Sequence, residues 1–123
     1  MGMFLRGIRG ATTVDINSAG MILTETECLL VKMIQDNAIL IEDIASIFFS
    51  VTPDLNAEFP AKAAREMGLT KVPLLCMTEI PVPGSLPMCI RILVHVNTLK
   101  SMDELVPIYL NKSVALRPDV SDD

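Results

Sequence analysis

The chain has 123 residues, half of them hydrophobic but only 4% aromatic, with no tryptophan and a formal net charge of −5. That length suits one domain with a real core, which must be aliphatic, with eight methionines as fillers. No apolar run approaches the roughly 18–20 residues of a membrane span, and no Lys/Arg block or aromatic–basic interleaving marks a nucleic-acid surface.

Residues 3–12 read as a first strand, broken by Gly7 and Gly10. Asn17-Ser18 offers an N-cap to a helix running from Ala19 to about Asn37. Ile22, Thr26, Leu29 and Met33 form its apolar stripe, with Leu23, Leu30 and Ile34 beside it, while Glu25, Glu27, Lys32 and Asp36 supply the polar side. Cys28 reads as packing on this helix. Ile41–Ile44 suggests a short helical turn. Ala45–Thr52 is a buried-looking strand ended by Pro53-Asp54.

Pro60 fits the first turn of a second helix, Ala61–Met67, stopped by Gly68, with Lys62 and Glu66 spaced as an i,i+4 pair. Val72–Met77 reads as a third strand, and Pro81, Pro83, Gly84 and Pro87 mark a surface loop. Met88–Asn97 is the fourth strand. Ser101–Glu104 has the form of a capping box on a short helix cut off by Pro107. Tyr109–Leu116 fits either a last strand or a turn of helix, and a polar tail occupies about 117–123. Strands mixed with two or three helices, without repeats or a linker, make residues 1–123 a single domain of the α+β or α/β class.

The fourth strand holds the most informative residue. Alternation puts Ile90, Ile92, Val94 and Val96 on one face, and Cys89, Arg91, Leu93 and His95 on the other. A guanidinium keeps its proton and is rarely buried alone. Arg91 therefore faces either a carboxylate of this chain or a group brought from outside. Other cations near strand ends are Arg9, Arg117, Lys62 and Arg65, each also readable as a solvated surface residue. Glu79 follows an apolar run and is either an exposed carboxylate or an acceptor for a ligand hydroxyl. Strict alternation sets Cys76 and Glu79 on opposite faces unless the strand ends or bulges between them.

Nucleophile, phosphate-loop and dinucleotide signatures are missing. Cys89 and His95 share a face but stand about 20 Å apart along a strand, too far to act as a pair. One histidine and no Cys-x-x-Cys predict no metal site. Three widely spaced cysteines and an N-terminus without a signal-type apolar region point to a cytoplasmic protein. Mean hydropathy of +0.46 is high for so small a chain, which favours burial of some surface against other copies.

Taken together, several segments resemble the monofunctional chorismate mutases of the AroH type. They are Arg6-Gly-Ile-Arg-Gly-Ala-Thr-Thr13, Thr52-Pro-Asp-Leu55, Phe59-Pro-Ala-Lys-Ala63, Cys76-Met-Thr-Glu79, Cys89-Ile-Arg91, Tyr109-Leu110 and Leu116-Arg-Pro-Asp119. The resemblance implies an α+β fold, a mixed β-sheet packed by helices, in a homotrimer forming a pseudo-α/β-barrel with active sites in clefts between subunits. It implies an isomerase that rearranges chorismate to prephenate without a cofactor, on the route to phenylalanine and tyrosine. It also implies roles. Arg91 would face the ether oxygen, and Arg9 and Tyr109 would hold a carboxylate. Glu79, helped by Cys76, would accept from the ring hydroxyl. Phe59, Ala61, Leu75 and Leu116 would line the pocket, with Lys62, Arg65 and Arg117 nearer its mouth. The family often has threonine where this chain has Leu75. Two other readings fit the composition: a non-catalytic trimer that binds a small carboxylate, and an imine deaminase of the YjgF type. The latter does not account for the Phe-Pro-Ala-Lys and Cys-Met-x-Glu segments.

Overall fold

The alternation of the fourth strand organises the molecule, because that strand lies at the centre of the sheet. The computed structural model describes residues 2–117. Five strands, β1 (Phe4–Thr13), β2 (Ile44–Val51), β3 (Leu74–Thr78), β4 (Cys89–Thr98) and β5 (Ile108–Tyr109), form one sheet in the order β3-β2-β4-β1-β5. β4 runs antiparallel to both β1 and β2, whereas β3 joins β2 and β5 joins β1 in parallel. Parallel pairing needs a crossover, and helix α2 (Ala61–Glu66) provides it between β2 and β3. The mixed sheet and few helices agree with the α+β class.

Ile90, Ile92, Val94 and Val96 are all buried, and their register partners Gly10, Ile8, Phe49 and Ile47 share that face. Helix α1 (Ala19–Asp36) packs on it through Ile22, Leu29, Leu30 and Met33, all without solvent exposure. Ser18 caps α1, its hydroxyl accepting from the Met21 N–H at 3.2 Å. The Asn37 side chain closes the other end. Its amide donates to the Met33 and Val106 carbonyls, and its oxygen accepts from the Val106 N–H at 2.7 Å. Gly10 is where the helix comes closest. A Cβ there would collide with the Met33 sulfur, so a side chain would force the ends of Met33 and Leu29 to repack.

Thr26 occupies the same stripe, fully buried, and its hydroxyl has no hydrogen-bond partner among the described residues. A buried unpaired hydroxyl opposes folding. Thr26→Val keeps the shape and removes the polar atom, so it should stabilise the protein by about 1 kcal/mol. A rise in the thermal unfolding midpoint checks this; an unchanged or lower midpoint contradicts it.

Several elements differ from their expected form. β3 begins two residues late because Pro73 has no N–H to give; its carbonyl accepts from Ile47 instead. Lys62 pairs with Glu58, one turn before it, at 3.4 Å rather than with Glu66. The Phe59 N–H donates to Glu58 at 2.9 Å and holds that carboxyl below its usual range, which keeps the partner ionised. Cys28 is exposed, since it lies two positions round the helix from the buried Thr26. The segment left open between strand and helix is both: β5 followed by a 3-10 stretch, Asn111–Leu116. The expected polar tail lies, beyond Arg117, outside the described residues. Among the described residues no helix is long and apolar enough to cross a membrane.

Candidate active site

Both helices pack on one face of the sheet, and the other face carries the site. Register places Tyr109, Ala11, Arg91, Ser50 and Met77 in a single row across all five strands of that open face. The next row holds Arg9, Leu93, Phe48 and Leu75. Leu116 and these two rows, apart from Leu75, line a cavity of about 400 Å³, with Arg9, Phe48, Ser50, Met77, Arg91, Leu93 and Tyr109 among its walls. Volumes of that order accommodate a small organic ligand. Arg91 is therefore not a charge buried in core. Its side chain is 47% exposed and projects from the face that no helix covers.

Glu79 continues the alternation of Leu75 and Met77 onto this face, one residue past the end of β3 at Thr78. The Glu79 N–H donates to the Val51 carbonyl at 2.8 Å, which pins its main chain beside the end of β2. Its Oε2 then stands 3.5 Å from Arg91 Nε and accepts from the Ser50 hydroxyl at 2.5 Å. A carboxylate of the chain thus flanks Arg91, and Arg91 also lines a ligand-sized hollow. Cys76 remains on the opposite face, against the core and paired in register with Phe49.

The start of β4 is held by a network that motif reading attached to no role. Both carboxylate oxygens of Asp54 accept from the Met88 N–H, at 3.2 and 3.0 Å, and Asp54 also accepts from Thr52 Oγ1 at 2.5 Å. Thr52 Oγ1 accepts in turn from the Cys89 N–H at 2.9 Å. Met88 carries a positive φ of 53°, a conformation disfavoured for a side-chain-bearing residue and stabilised by these bonds. The Thr-Pro-Asp segment so fixes the strand two residues before Arg91. Cys89 is buried beside it. Burial raises its thiol pKa, with Arg91 pulling the other way, so it stays a protonated packing group rather than a nucleophile.

The opposite wall depends on a two-residue strand tied down from outside the sheet. The Leu110 N–H and the Ser113 hydroxyl both donate to the Ala11 carbonyl at 2.9 Å. The Asn111 amide donates to Thr12 Oγ1, the Thr13 carbonyl and Glu25. These bonds place Tyr109 and Leu116 over Arg9 and Arg91. Arg117 follows and borders a neighbouring hollow that shares Tyr109 and includes Lys32.

The remaining expected residues do not meet this cavity within one chain. Phe59 is exposed just before α2; Ala61, Lys62 and Arg65 ride on α2, which packs on α1 and β3 on the helix side of the sheet. Leu75 is on the open face but at the β3 edge, and is exposed. Sequence reasoning missed Ser50, Phe48 and Met77, whose places depend on the register between strands. His95 lies further down the open face, its Nδ1 3.1 Å from the Ser46 hydroxyl and its ring edge-on to Phe48. No group of three or more His, Cys, Asp or Glu among the described residues could hold a metal ion.

Two arginines, a tyrosine hydroxyl and a fixed carboxylate around an apolar floor define an α+β protein with a pocket suited to a small anion that also carries a hydroxyl. Comparison with known proteins is specific. The family described as chorismate mutase type I matches residues 5–120. The chain is 48% identical over 120 residues to chorismate mutase AroH of Bacillus subtilis, covering 97% of this chain and 94% of that one. It is 47% identical over 117 residues to chorismate mutase AroH of Thermus thermophilus, covering 94% and 96%. A solved chorismate mutase from Clostridium thermocellum superposes with a TM-score of 0.87 at 51% identity, over 89% of this chain and 97% of that one. The chain belongs to the chorismate mutase type I family.

Proposed function

We propose that this protein is an isomerase that rearranges chorismate to prephenate, in a cleft completed by a second copy of the chain. The observation that carries the reading is the convergence of Arg9, Arg91 and Tyr109 on one cavity, with Glu79 beside Arg91, in a chain of this family. Chorismate carries two carboxylates, a ring hydroxyl and an enol ether. Its rearrangement is unimolecular, so the protein must hold the reactive diaxial conformer and stabilise the charge that develops. The C–O bond breaks ahead of C–C bond formation, and negative charge grows on the ether oxygen. Arg91 meets that charge. Arg9 and Tyr109 hold a carboxylate, and Glu79 accepts from the ring hydroxyl while facing the positive charge that builds on the ring.

The assembly is a homotrimer. In one chain the open face leaves Leu5, Leu75 and Met77 largely exposed, an apolar area that suits burial against another copy. Phe59, Lys62, Arg65 and Leu75, on and just before α2 and at the β3 edge, then form the second half of a neighbour's site, with Ala61 and Cys76 packed against the core behind them. Three unpaired cysteines, of which one is exposed, accord with a cytoplasmic location.

An ultraviolet assay tests the activity: chorismate should disappear with prephenate as the product. Saturable binding without turnover would instead make the protein a carboxylate-binding module. Light scattering should return three times the 13.4 kDa chain mass. Arg117 sits beyond Tyr109, outside the reacting cavity, and contributes to capture of the dianion. Arg117→Ala should raise KM roughly 3- to 10-fold with kcat nearly unchanged; a large fall in kcat at constant KM would contradict that assignment.

A further inference from the structure

We infer that Ser50 is a positioning residue for this reaction, holding the Glu79 carboxylate at a distance from Arg91 so that the guanidinium stays available to substrate. The inference rests on the role given to Arg91 above. Ser50 lies directly opposite Arg91 in the register of β2 and β4, and it lines the cavity. Its hydroxyl donates to Glu79 Oε2 at 2.5 Å, and that same oxygen stands 3.5 Å from Arg91 Nε.

The distances decide the argument. An arginine and a carboxylate left to themselves favour a forked pairing, two parallel N–H···O bonds of about 2.7–2.9 Å. Here the pair meets through one oxygen and one nitrogen at 3.5 Å, longer than such a bond. The difference lies in the serine, which takes the shared oxygen at the shorter distance. The Glu79 main chain is also anchored, through its N–H to the Val51 carbonyl. The carboxylate is thus fixed at its backbone and at Oε2, while Oε1 has no hydrogen-bond partner among the described residues. That free oxygen suits a ligand hydroxyl.

Without the Ser50 hydroxyl, Glu79 is free to close on Arg91 as a fork. The cation then spends its donors on an internal partner, and the acceptor for the ring hydroxyl withdraws with it. Both losses fall on the transition state more than on ground-state capture, which the carboxylate contacts of Arg9 and Tyr109 still provide.

Ser50→Ala should therefore lower kcat roughly 10- to 100-fold, the scale of a misplaced positioning contact, with KM changed by less than about 3-fold. Ser50→Thr retains the hydroxyl on a strand-compatible side chain and should recover most of that loss. In a Glu79→Ala background, removing the Ser50 hydroxyl should have little further effect, because the group it positions is gone. Wild-type kcat in Ser50→Ala overturns the inference, and so does an equally large loss in the Glu79→Ala background. Failure of the underlying reading has a different signature. Normal turnover in Arg91→Ala overturns both, whereas normal turnover in Ser50→Ala beside a crippled Arg91→Ala overturns this inference alone.

Discussion

Replacing Arg91 with lysine should lower kcat by at least about 100-fold, close to 2.7 kcal/mol of transition-state stabilisation, while KM changes far less. The substitution keeps the positive charge, so bulk electrostatics predicts little effect; the geometry predicts a large one. Arg91 has two tasks. Its Nε faces Glu79 at 3.5 Å, which sets the orientation of the guanidinium plane. Its terminal nitrogens are then left for the cavity, where, in the proposed reaction, the ether oxygen gains charge. A lysine has one nitrogen on a flexible stem and cannot meet the carboxylate and the oxygen from separate, rigidly related donors. With Glu79 fixed beside it, the ammonium settles on the carboxylate.

The magnitude also limits what Arg91 can do alone. One preorganised donor aimed at developing charge contributes about 3–4 kcal/mol, against at least about 8 kcal/mol for enzymatic acceleration generally. Orientation by Arg9, Tyr109 and Glu79 must supply much of the remainder. Ultraviolet turnover of Arg91→Lys, compared with its KM, decides the matter; near-normal kcat would remove Arg91 from the assigned role.

How far such residues can be seen in advance depends on the range of the interaction that places them. Period-2 alternation in β4 and the Ile22–Thr26–Leu29–Met33 stripe in α1 are local, and both faces were readable directly. Arg91 was conspicuous for the same reason, as a charge whose neighbours at i±1 are buried. Ser50 was not. A serine in Ile-Phe-Phe-Ser-Val is unremarkable until the β2–β4 register sets it opposite Arg91, and a shift of one residue would have turned it into the core. That register includes an irregularity at Ala45, between Ile44 and Ser46, which no local pattern announces.

Glu79 shows the converse. Alternation sets it opposite Cys76, and the structure leaves the two on opposite faces; what alternation does not show is the bond from its N–H to Val51, which holds it beside Arg91. Lys62 turned to Glu58 rather than Glu66 because Glu58, outside the helix, is held in reach by its own backbone bond to Phe59. Helical spacing alone does not register that competitor.

Two separately impaired variants should restore activity to each other when mixed. Within one chain the sheet itself separates Arg91, on the open face, from Lys62 and Arg65, on the helix that packs against the other face. A helix layer stacked on a sheet lies about 10 Å from it, so α2 cannot fold round to its own chain's cavity without unpacking from β3 and α1. If both sets of residues serve catalysis, each chain contributes two half-sites to two different clefts. Arg91→Ala removes one half. Lys62→Glu combined with Arg65→Glu reverses the charge at the mouth of the other, and should reduce kcat/KM for a dianion on the order of 100-fold. If the assembly is the proposed homotrimer, co-refolding equal amounts of the two variants yields trimers of random composition. In a cyclic trimer with shared clefts, about one quarter of the interfaces then join an intact Arg91 face to an intact α2 edge. Recovery to roughly a quarter of wild-type kcat/KM per cleft is the expected result. A site confined to one chain predicts no recovery at any mixing ratio, because every chain in the mixture carries a lesion. That outcome would leave α2 outside the active site and reduce the catalytic apparatus to Arg9, Glu79, Arg91 and Tyr109 on the open face.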